Sequence, residues 1–183
     1  MLILDYKARE LWDASKEEYI YVPEQKLLLE HSLVSISKWE SEYKKSFLSN
    51  TEKNLNETLY YIKCMNISKK EIDDNTIAGL TYNEQKIITS YIEESRTATT
   101  IKRNGKQNRD IITSEQIYCW MIQLKIPSEY QKWHLSRLLT LIEVLGEENA
   151  KAYGKNKKMT KSQILAQNAE INAARKAQIN SKG

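Results

Sequence analysis

The chain has 183 residues, of which 40% are hydrophobic and 28% charged, so it is expected to form one domain with one core, or one domain and an appendage. Five Gly and two Pro are too few for the many tight turns of a β-sandwich or barrel, which favours helices. Eleven Tyr and four Trp against one Phe give amphipathic aromatic side chains, common in small cores and at interfaces.

The net charge of +4 is unevenly distributed. Residues 151–183 contain eight Lys or Arg and one acidic residue, so this segment carries +7 and the rest of the chain −3. The sequence therefore predicts a mildly acidic body over residues 1–146 and a basic linker and tail over residues 147–183. Residues 160–180 have helix-forming composition but few large apolar side chains, which predicts a partly helical tail that is disordered or folds on a partner.

Residues 6–29 are predicted to form a small β-hairpin element, with two apolar runs around a polar turn and a third strand starting at Lys26. The run Tyr19–Val22, ended by Pro23, favours strand over helix. A capping-box spacing of Ser and Glu leaves a short helix over 15–22 as the alternative.

Helix starts are marked by Ser or Thr followed three residues later by Glu or Gln, the capping-box spacing that satisfies two free backbone N–H groups. Together with the apolar periodicity, these signals predict a mainly α fold, a small bundle of about six helices behind the β element. The boxes start at Ser68, Thr81, Thr113, Ser128 and Thr160. The predicted helices cover residues 33–47, 54–66, 69–79, 82–95, 114–126 and 129–146.

Two predictions concern how these elements connect. Residues 27–48 change from strand to helical periodicity, which predicts a joint between the β element and the bundle, with Trp39 as a core anchor. The last two helices are expected to form an αα-hairpin around Pro127, with Gly146 ending the second helix.

The two cysteines and the N-terminal residues bear on the cellular compartment. Cys64 and Cys119 lie in predicted helices without a CxxC motif, and are expected to be buried thiols in a reducing compartment. Met1–Leu4 is apolar but is followed at once by Asp5, unlike a signal peptide. No apolar run approaches the roughly 18 residues of a membrane-spanning helix. These features predict a soluble intracellular protein.

The sequence contains no pattern typical of a catalytic or metal site. His31 and His134 lack the spacing of metal-binding motifs, and a zinc site with Cys64 and Cys119 requires the fold to bring all four together. There is no nucleophile motif and no Gly-rich phosphate loop. We therefore expect no enzymatic activity, no cofactor and no metal.

Basic segments make nucleic-acid binding one candidate function. Residues 96–113 lack helical periodicity, and Asn104-Gly105 predicts an exposed β-like excursion that adds basic side chains to those of the tail. Such segments bind phosphate through counterion release. However, no aromatic residue follows Tyr153 for base stacking, and the helix predicted over 129–146 offers a poor recognition surface.

Protein binding is the other candidate function. Tyr60, Tyr61, Tyr118 and Trp133 flank apolar stripes where a groove for another polypeptide can lie, although for any one of them a place in the core is the more common outcome. The basic tail adds five candidate partner-binding residues: Lys155, Lys157, Lys158, Arg175 and Lys176.

Several phrases of this sequence resemble a family of small proteins from tailed phages of Gram-positive hosts, the tail assembly chaperones or tail-morphogenesis proteins. The resemblance covers about residues 10–145 and leaves the tail over 160–180 unmatched. The phrases are, in chain order, Glu30–Leu33 with Ser37–Ser41, Thr58–Met65, Ile112–Glu115, and Gln131–Leu135 with Arg137–Ile142.

The resemblance implies a non-enzymatic role in the host cell cytoplasm during phage assembly, and it implies no catalytic residue. Chaperones of this kind coat the helical tape-measure protein and help to recruit tail-tube subunits, and repeated binding along such a client implies a homo-oligomer. Two alternatives stay open. One is a structural virion component, such as a neck or tail-completion protein, and the other is a nucleic-acid-binding protein that uses the basic tail.

Overall fold

The computed structural model of this chain describes residues 1–49, 51–99, 111–154 and 165. Within these residues, six α-helices follow short antiparallel strand pairs, which confirms the predicted mainly α class. The chain divides into two units, Met1–Val144 and Leu145–Gly183, and the first contains the strands, the core and every site considered below. The predicted turn at Asn104-Gly105 and the capping box at Thr160 lie outside the described residues.

The N-terminal strands form a long antiparallel ribbon that is interrupted in the middle. Tyr6 lies opposite Gln25 and Arg9 opposite Val22, so the two ladders share one register although Pro23 supplies no backbone donor between them. The predicted β element, with its third strand, is thus confirmed, but the sequence did not predict the first strand. The strands are β1 (Leu2–Tyr6) paired with β4 (Gln25–Leu29), and β2 (Arg9–Asp13) paired with β3 (Glu18–Val22).

A four-residue turn closes the ribbon at its tip. The Asp13 carboxylate accepts hydrogen bonds from the backbone N–H (2.9 Å) and the hydroxyl (2.6 Å) of Ser15, and Glu17 adopts a left-handed φ of 55°. The helix considered over 15–22 is therefore wrong, because a residue with positive φ cannot continue a right-handed helix and the following residues pair with β2.

Most helices are shorter than predicted, because they end where a residue leaves helical geometry. Lys44, for example, takes a left-handed φ of 55° and ends the first helix. The helices are α1 (Leu33–Tyr43), α2 (Leu55–Cys64), α3 (Asp74–Ala78), α4 (Tyr82–Glu93), α5 (Ser114–Gln123), a 3₁₀ helix (Ser128–Lys132) and α6 (Leu135–Gly154).

The capping-box predictions were right at two described sites and wrong at two. The boxes at Thr81 and Thr113 mark the starts of α4 and α5. The box at Ser68 starts no helix, because its hydroxyl donates to the Lys70 carbonyl (2.7 Å) and holds a loop, and the helix predicted there shrinks to α3. The box at Ser128 starts only the 3₁₀ helix.

The αα-hairpin predicted around Pro127 is wrong. Lys125 takes a left-handed φ of 55°, and the Ile126 N–H donates to a carbonyl in the last turn of α5 (2.8 Å). The 3₁₀ helix then separates α5 from α6, and α5 packs against α1. Gly146 does not end α6, which continues to Gly154, because the residues that follow Gly146 are good helix formers.

Trp39 anchors the core, as predicted. Its side chain is fully buried, and the indole N–H donates to the carbonyl oxygen of Glu57 (2.9 Å), so that α1 is fixed against α2. The apolar stripe of α6 also faces the interior, with Leu135, Leu138 and Ile142 buried.

Candidate functional site

The aromatic residues predicted to bind a partner lie in different surroundings. Tyr61 is buried in the core, with 3% of its surface exposed. Tyr60, Tyr118 and Trp133 are half-buried, and Tyr60 and Trp133 line separate clefts. The five basic residues predicted in the tail lie outside the described residues: Lys155, Lys157, Lys158, Arg175 and Lys176.

Tyr60 lines an open and largely polar cleft of about 810 Å³ beside α1 and α2. Cys64 forms part of the same wall and is buried, as predicted, whereas Cys119 is exposed and its predicted burial is wrong. Burial raises the pKa of the Cys64 thiol to about 11. Since the thiolate is the reactive form, Cys64 is a poor nucleophile at neutral pH.

Trp133 is held on both faces of its ring. Tyr130 stacks on it at 4.0 Å between ring centroids, and the Arg137 guanidinium lies 4.0 Å from its ring centroid. These two groups fix the 3₁₀ helix to the start of α6, while Trp133 itself stays half-buried and lines its cleft.

Backbone hydrogen bonds bring the two histidines together. The Glu30 N–H donates to the Met65 carbonyl (2.8 Å), and the His31 carbonyl accepts from the Leu135 N–H (2.8 Å). The segment between β4 and α1 is thus tied to both α2 and α6, as expected of the joint predicted there. The ring centroids of His31 and His134 consequently lie 5.1 Å apart.

The hydrogen bonds of both imidazoles are made inside the protein. His31 Nδ1 lies 2.5 Å from the Tyr61 hydroxyl, and His134 Nε2 lies 3.1 Å from the Tyr91 carbonyl oxygen, which can only accept. His134 Nδ1 lies 2.8 Å from the Ser136 hydroxyl. These contacts hold both rings in place.

Burial keeps both histidines uncharged at neutral pH. It lowers the pKa of His31 to about 4, and the neighbouring His134 acts in the same direction. Burial also lowers the pKa of His134. A general base works best with a pKa near the operating pH, so His31 is poorly suited to that role. We interpret the pair as a structural element of the joint.

A carboxylate completes this cluster on its outer side. The Tyr91 hydroxyl donates to Glu30 Oε1 (2.5 Å), and the Met1 amine forms an ion pair with Glu30 Oε2 (2.7 Å). Burial and this carboxylate both raise the pKa of Tyr91. In the part of the chain that the structure describes, no group of three or more His, Cys, Asp or Glu side chains could hold a metal ion.

A small apolar cleft lies between α2 and α4. Its volume is about 180 Å³, and Tyr61, Leu59 and Ile88 are among its lining residues. This is below the roughly 300 Å³ at which small-molecule sites begin. The cleft is therefore a poor candidate for a ligand site.

One face of the β2–β3 hairpin leaves several large aromatic side chains exposed. Trp12 lies opposite Tyr19, and Glu10 lies opposite Tyr21, so these four side chains share a face, which we call the tip face. The three aromatic side chains are 55%, 69% and 64% exposed in chain order, although Trp12 packs edge-on against Tyr19 at 5.0 Å.

The sequence did not single out the tip face. Alternation predicts the strands, but both of their faces carry large apolar side chains, so the pattern alone cannot tell which face the bundle covers. In the structure, Leu11 and Ile20 on the other face are half-buried and Val22 is 3% exposed. The tip face is consequently the one left to solvent.

A half-buried arginine fixes the hairpin to the helices. The Arg9 guanidinium makes two hydrogen bonds to Glu84, at 2.8 and 3.0 Å, and one to the Gly79 carbonyl at 2.5 Å. It also lies 4.1 Å from the centre of the Tyr6 ring. Such bidentate pairs restrict orientation, so the tip face is presented in a defined position.

Comparison with known proteins finds no family model that matches the chain, and no curated protein or solved structure that is significantly similar to it. Among the described residues, no helix is both long and apolar enough to cross a membrane.

Proposed function

We propose that this protein is a non-enzymatic phage tail assembly chaperone, which binds the tape-measure protein and helps to recruit tail-tube subunits in the host cytoplasm. The structural observation that carries the proposal is the tip face, with three aromatic side chains each more than half exposed on a ribbon anchored by Arg9. Exposed aromatic clusters of this kind are typical of protein-binding surfaces. The proposed partner is taken from the resemblance of several sequence phrases to tail assembly chaperones.

Shielding is the mechanism that suits such a protein. A long helical client exposes apolar stripes until tube subunits cover them, and a chaperone that coats it must bind weakly at many positions and then leave. Several copies in a row achieve this through avidity, so we propose that the protein self-associates along the client. No step of this mechanism needs a catalytic group or a cofactor.

Co-purification tests the proposal. The full chain, carrying an affinity tag, is expressed together with the tape-measure and tail-tube proteins of the same phage, and we expect it to retain the tape-measure protein. If the tagged chain retained neither the tape-measure protein nor the tail-tube protein, the proposal would be overturned.

Mass spectrometry of purified virions separates the chaperone from a structural component. A chaperone is absent from finished particles, whereas a neck or tail-completion protein is present. Salt-sensitive retention of the full chain on immobilised DNA, without retention of tail proteins, would favour the nucleic-acid alternative that rests on the basic tail.

A further inference from the structure

We propose that the tip face binds a cationic amphipathic helix, with Lys or Arg side chains of the partner lying across the rings of Trp12, Tyr19 and Tyr21. This inference rests on the proposed function, because it names the surface that receives the client and the chemistry of the client segment. It commits to a polypeptide partner that carries both apolar and basic side chains.

The aromatic rings supply one half of the recognition. The face of an aromatic ring attracts cations, and the alkyl stems of Lys and Arg pack on apolar surface while their charged ends stay in water. Trp12 and Tyr19 already lie edge-on to each other, so these two rings form one surface, and Tyr21 lies on the same face. A partner therefore finds a preordered platform, which lowers the entropy cost of binding.

The charge around the rings supplies the other half. From Glu10 to Val22, the hairpin carries four carboxylates and a single ammonium, that of Lys16. The Lys16 ammonium lies 3.9 Å from a carboxylate oxygen of Asp13 and from one of Glu18, so its charge is shared between two of the four carboxylates. The hairpin is thus negatively charged, which complements a basic partner and repels an acidic one.

The same charge argues against nucleic acid on this surface. Aromatic platforms that stack bases are normally combined with basic residues that contact the phosphates. Here Glu10 shares the face with the rings, directly opposite Tyr21. A phosphate backbone would meet carboxylates, so a basic polypeptide fits this face better.

Two synthetic peptides test the proposal against the full-length protein. Both are amphipathic helices of about 20 residues, long enough to cover roughly 30 Å. They carry the same Leu stripe, and Lys in one is replaced by Glu in the other. Binding is measured by isothermal titration calorimetry at low and high salt, and a single-stranded DNA oligonucleotide is the third probe.

Four proteins are compared. The wild type is set beside a face variant (Trp12→Thr, Tyr19→Thr, Tyr21→Thr), in which Thr keeps the strand propensity. A charge variant carries Glu10→Gln and Glu18→Gln. A control variant removes two side chains that are each 78% exposed elsewhere, Tyr82→Ala and Ile122→Ala. Circular dichroism establishes that all four are folded.

We expect the wild type to bind the Lys peptide, and the Glu peptide to bind about tenfold more weakly or not at all. The folded face variant should bind the Lys peptide with about tenfold lower affinity. The charge variant should bind it with an affinity several-fold lower, and its binding should depend much less on salt. The control variant should match the wild type. The inference would be overturned if the wild type and the face variant bound equally well, or if the two peptides bound equally well. It would also be overturned if no peptide bound, or if DNA bound in a way that depends on the face residues.

The tape-measure co-purification distinguishes this inference from the proposed function. If the face variant retains the tape-measure protein as well as the wild type does, the inference fails and the proposed function stands. If the Lys peptide binds the face but the wild type retains no tail protein, the proposed function fails instead.

Discussion

The carboxylate of Glu40 accepts a hydrogen bond of 2.7 Å from the backbone N–H of Ser114, which joins α1 to the first turn of α5. The other carboxylate oxygen accepts from the Phe47 N–H at 2.8 Å. Glu40 is 7% exposed, so both donors would lack a partner without it. A carboxylate at this position also suits the positive end of the helix dipole. One side chain thus joins α1, the loop that follows it and the distant first turn of α5.

Replacing this carboxylate should destabilise the fold. Glu40→Gln keeps the size but offers only one acceptor oxygen to the N–H groups of Phe47 and Ser114, and we expect a loss of about 2–3 kcal/mol in the free energy of unfolding. Urea denaturation measures it. Glu42→Gln, on the exposed side of the same helix, is the matched control and should stay within about 0.5 kcal/mol. Equal losses in the two variants would show that the Glu40 contacts contribute nothing.

Stability should fall in mild acid because of the buried histidines. The folded protein holds His31 neutral down to a pKa of about 4, whereas the unfolded chain protonates it near 6.5. Between these values the unfolded state binds more protons, so stability present above pH 6.5 is lost as the pH falls toward 4, by about 3 kcal/mol in all. The lowered pKa of His134 acts in the same direction.

Two variants isolate this effect. In His31→Asn, the difference in unfolding free energy between about pH 7.5 and about pH 4.5 should shrink by the His31 contribution. Tyr61→Phe removes the hydrogen-bond partner of His31 but keeps its burial, so its pH dependence should resemble that of the wild type. A His31→Asn protein with an unchanged pH dependence would contradict the assignment.

Gly79 and Tyr6 should be coupled. A Cβ added at Gly79 would overlap the Tyr6 hydroxyl oxygen, which is buried and has no hydrogen-bond partner among the described residues. We expect Gly79→Ala to cost about 1–3 kcal/mol in the wild type and clearly less in a Tyr6→Phe background. Tyr6→Phe alone should cost little, because it removes an unsatisfied hydroxyl. A double-mutant cycle by urea denaturation measures the coupling, and equal costs in both backgrounds would refute it.

The two thiols should differ in reactivity. Cys119 is exposed, whereas Cys64 is buried with a pKa raised to about 11. Ellman's reagent should therefore modify one thiol rapidly in the native protein and both in urea. In Cys119→Ser the rapid phase should disappear, and in Cys64→Ser it should remain. Rapid modification of native Cys119→Ser would mean that the core opens readily around Cys64.

Features that depend on neighbours in sequence were predicted well. The Thr81 capping box involves residues three apart, and the fully buried Trp39 lies on a helix with clear apolar periodicity. The box at Ser68 failed because side-chain hydrogen bonds within the loop compete with the helix. The exposure of Cys119 could not be predicted, because it depends on α5 packing against α1 and not, as expected, in a hairpin with α6.

The candidate site was less predictable than the fold. The sequence directed attention to Tyr60, Tyr61, Tyr118 and Trp133, and the structure buries one of them and stacks another between Tyr130 and Arg137. The tip face was missed because strand alternation does not say which face of a ribbon is covered.

The sequence by itself determined the mainly α class, the strands around the tip turn and the placement of Trp39 in the core, because local hydrogen bonding and apolar periodicity are read within a few residues. Only the tertiary structure decided which partners meet: His31 with His134, Glu40 with Ser114, and Arg9 with Glu84. Those contacts join residues far apart in the chain, and their geometry follows from how the elements pack. The exposed tip face is a product of the same packing, since it is the side of the ribbon that the helices leave uncovered.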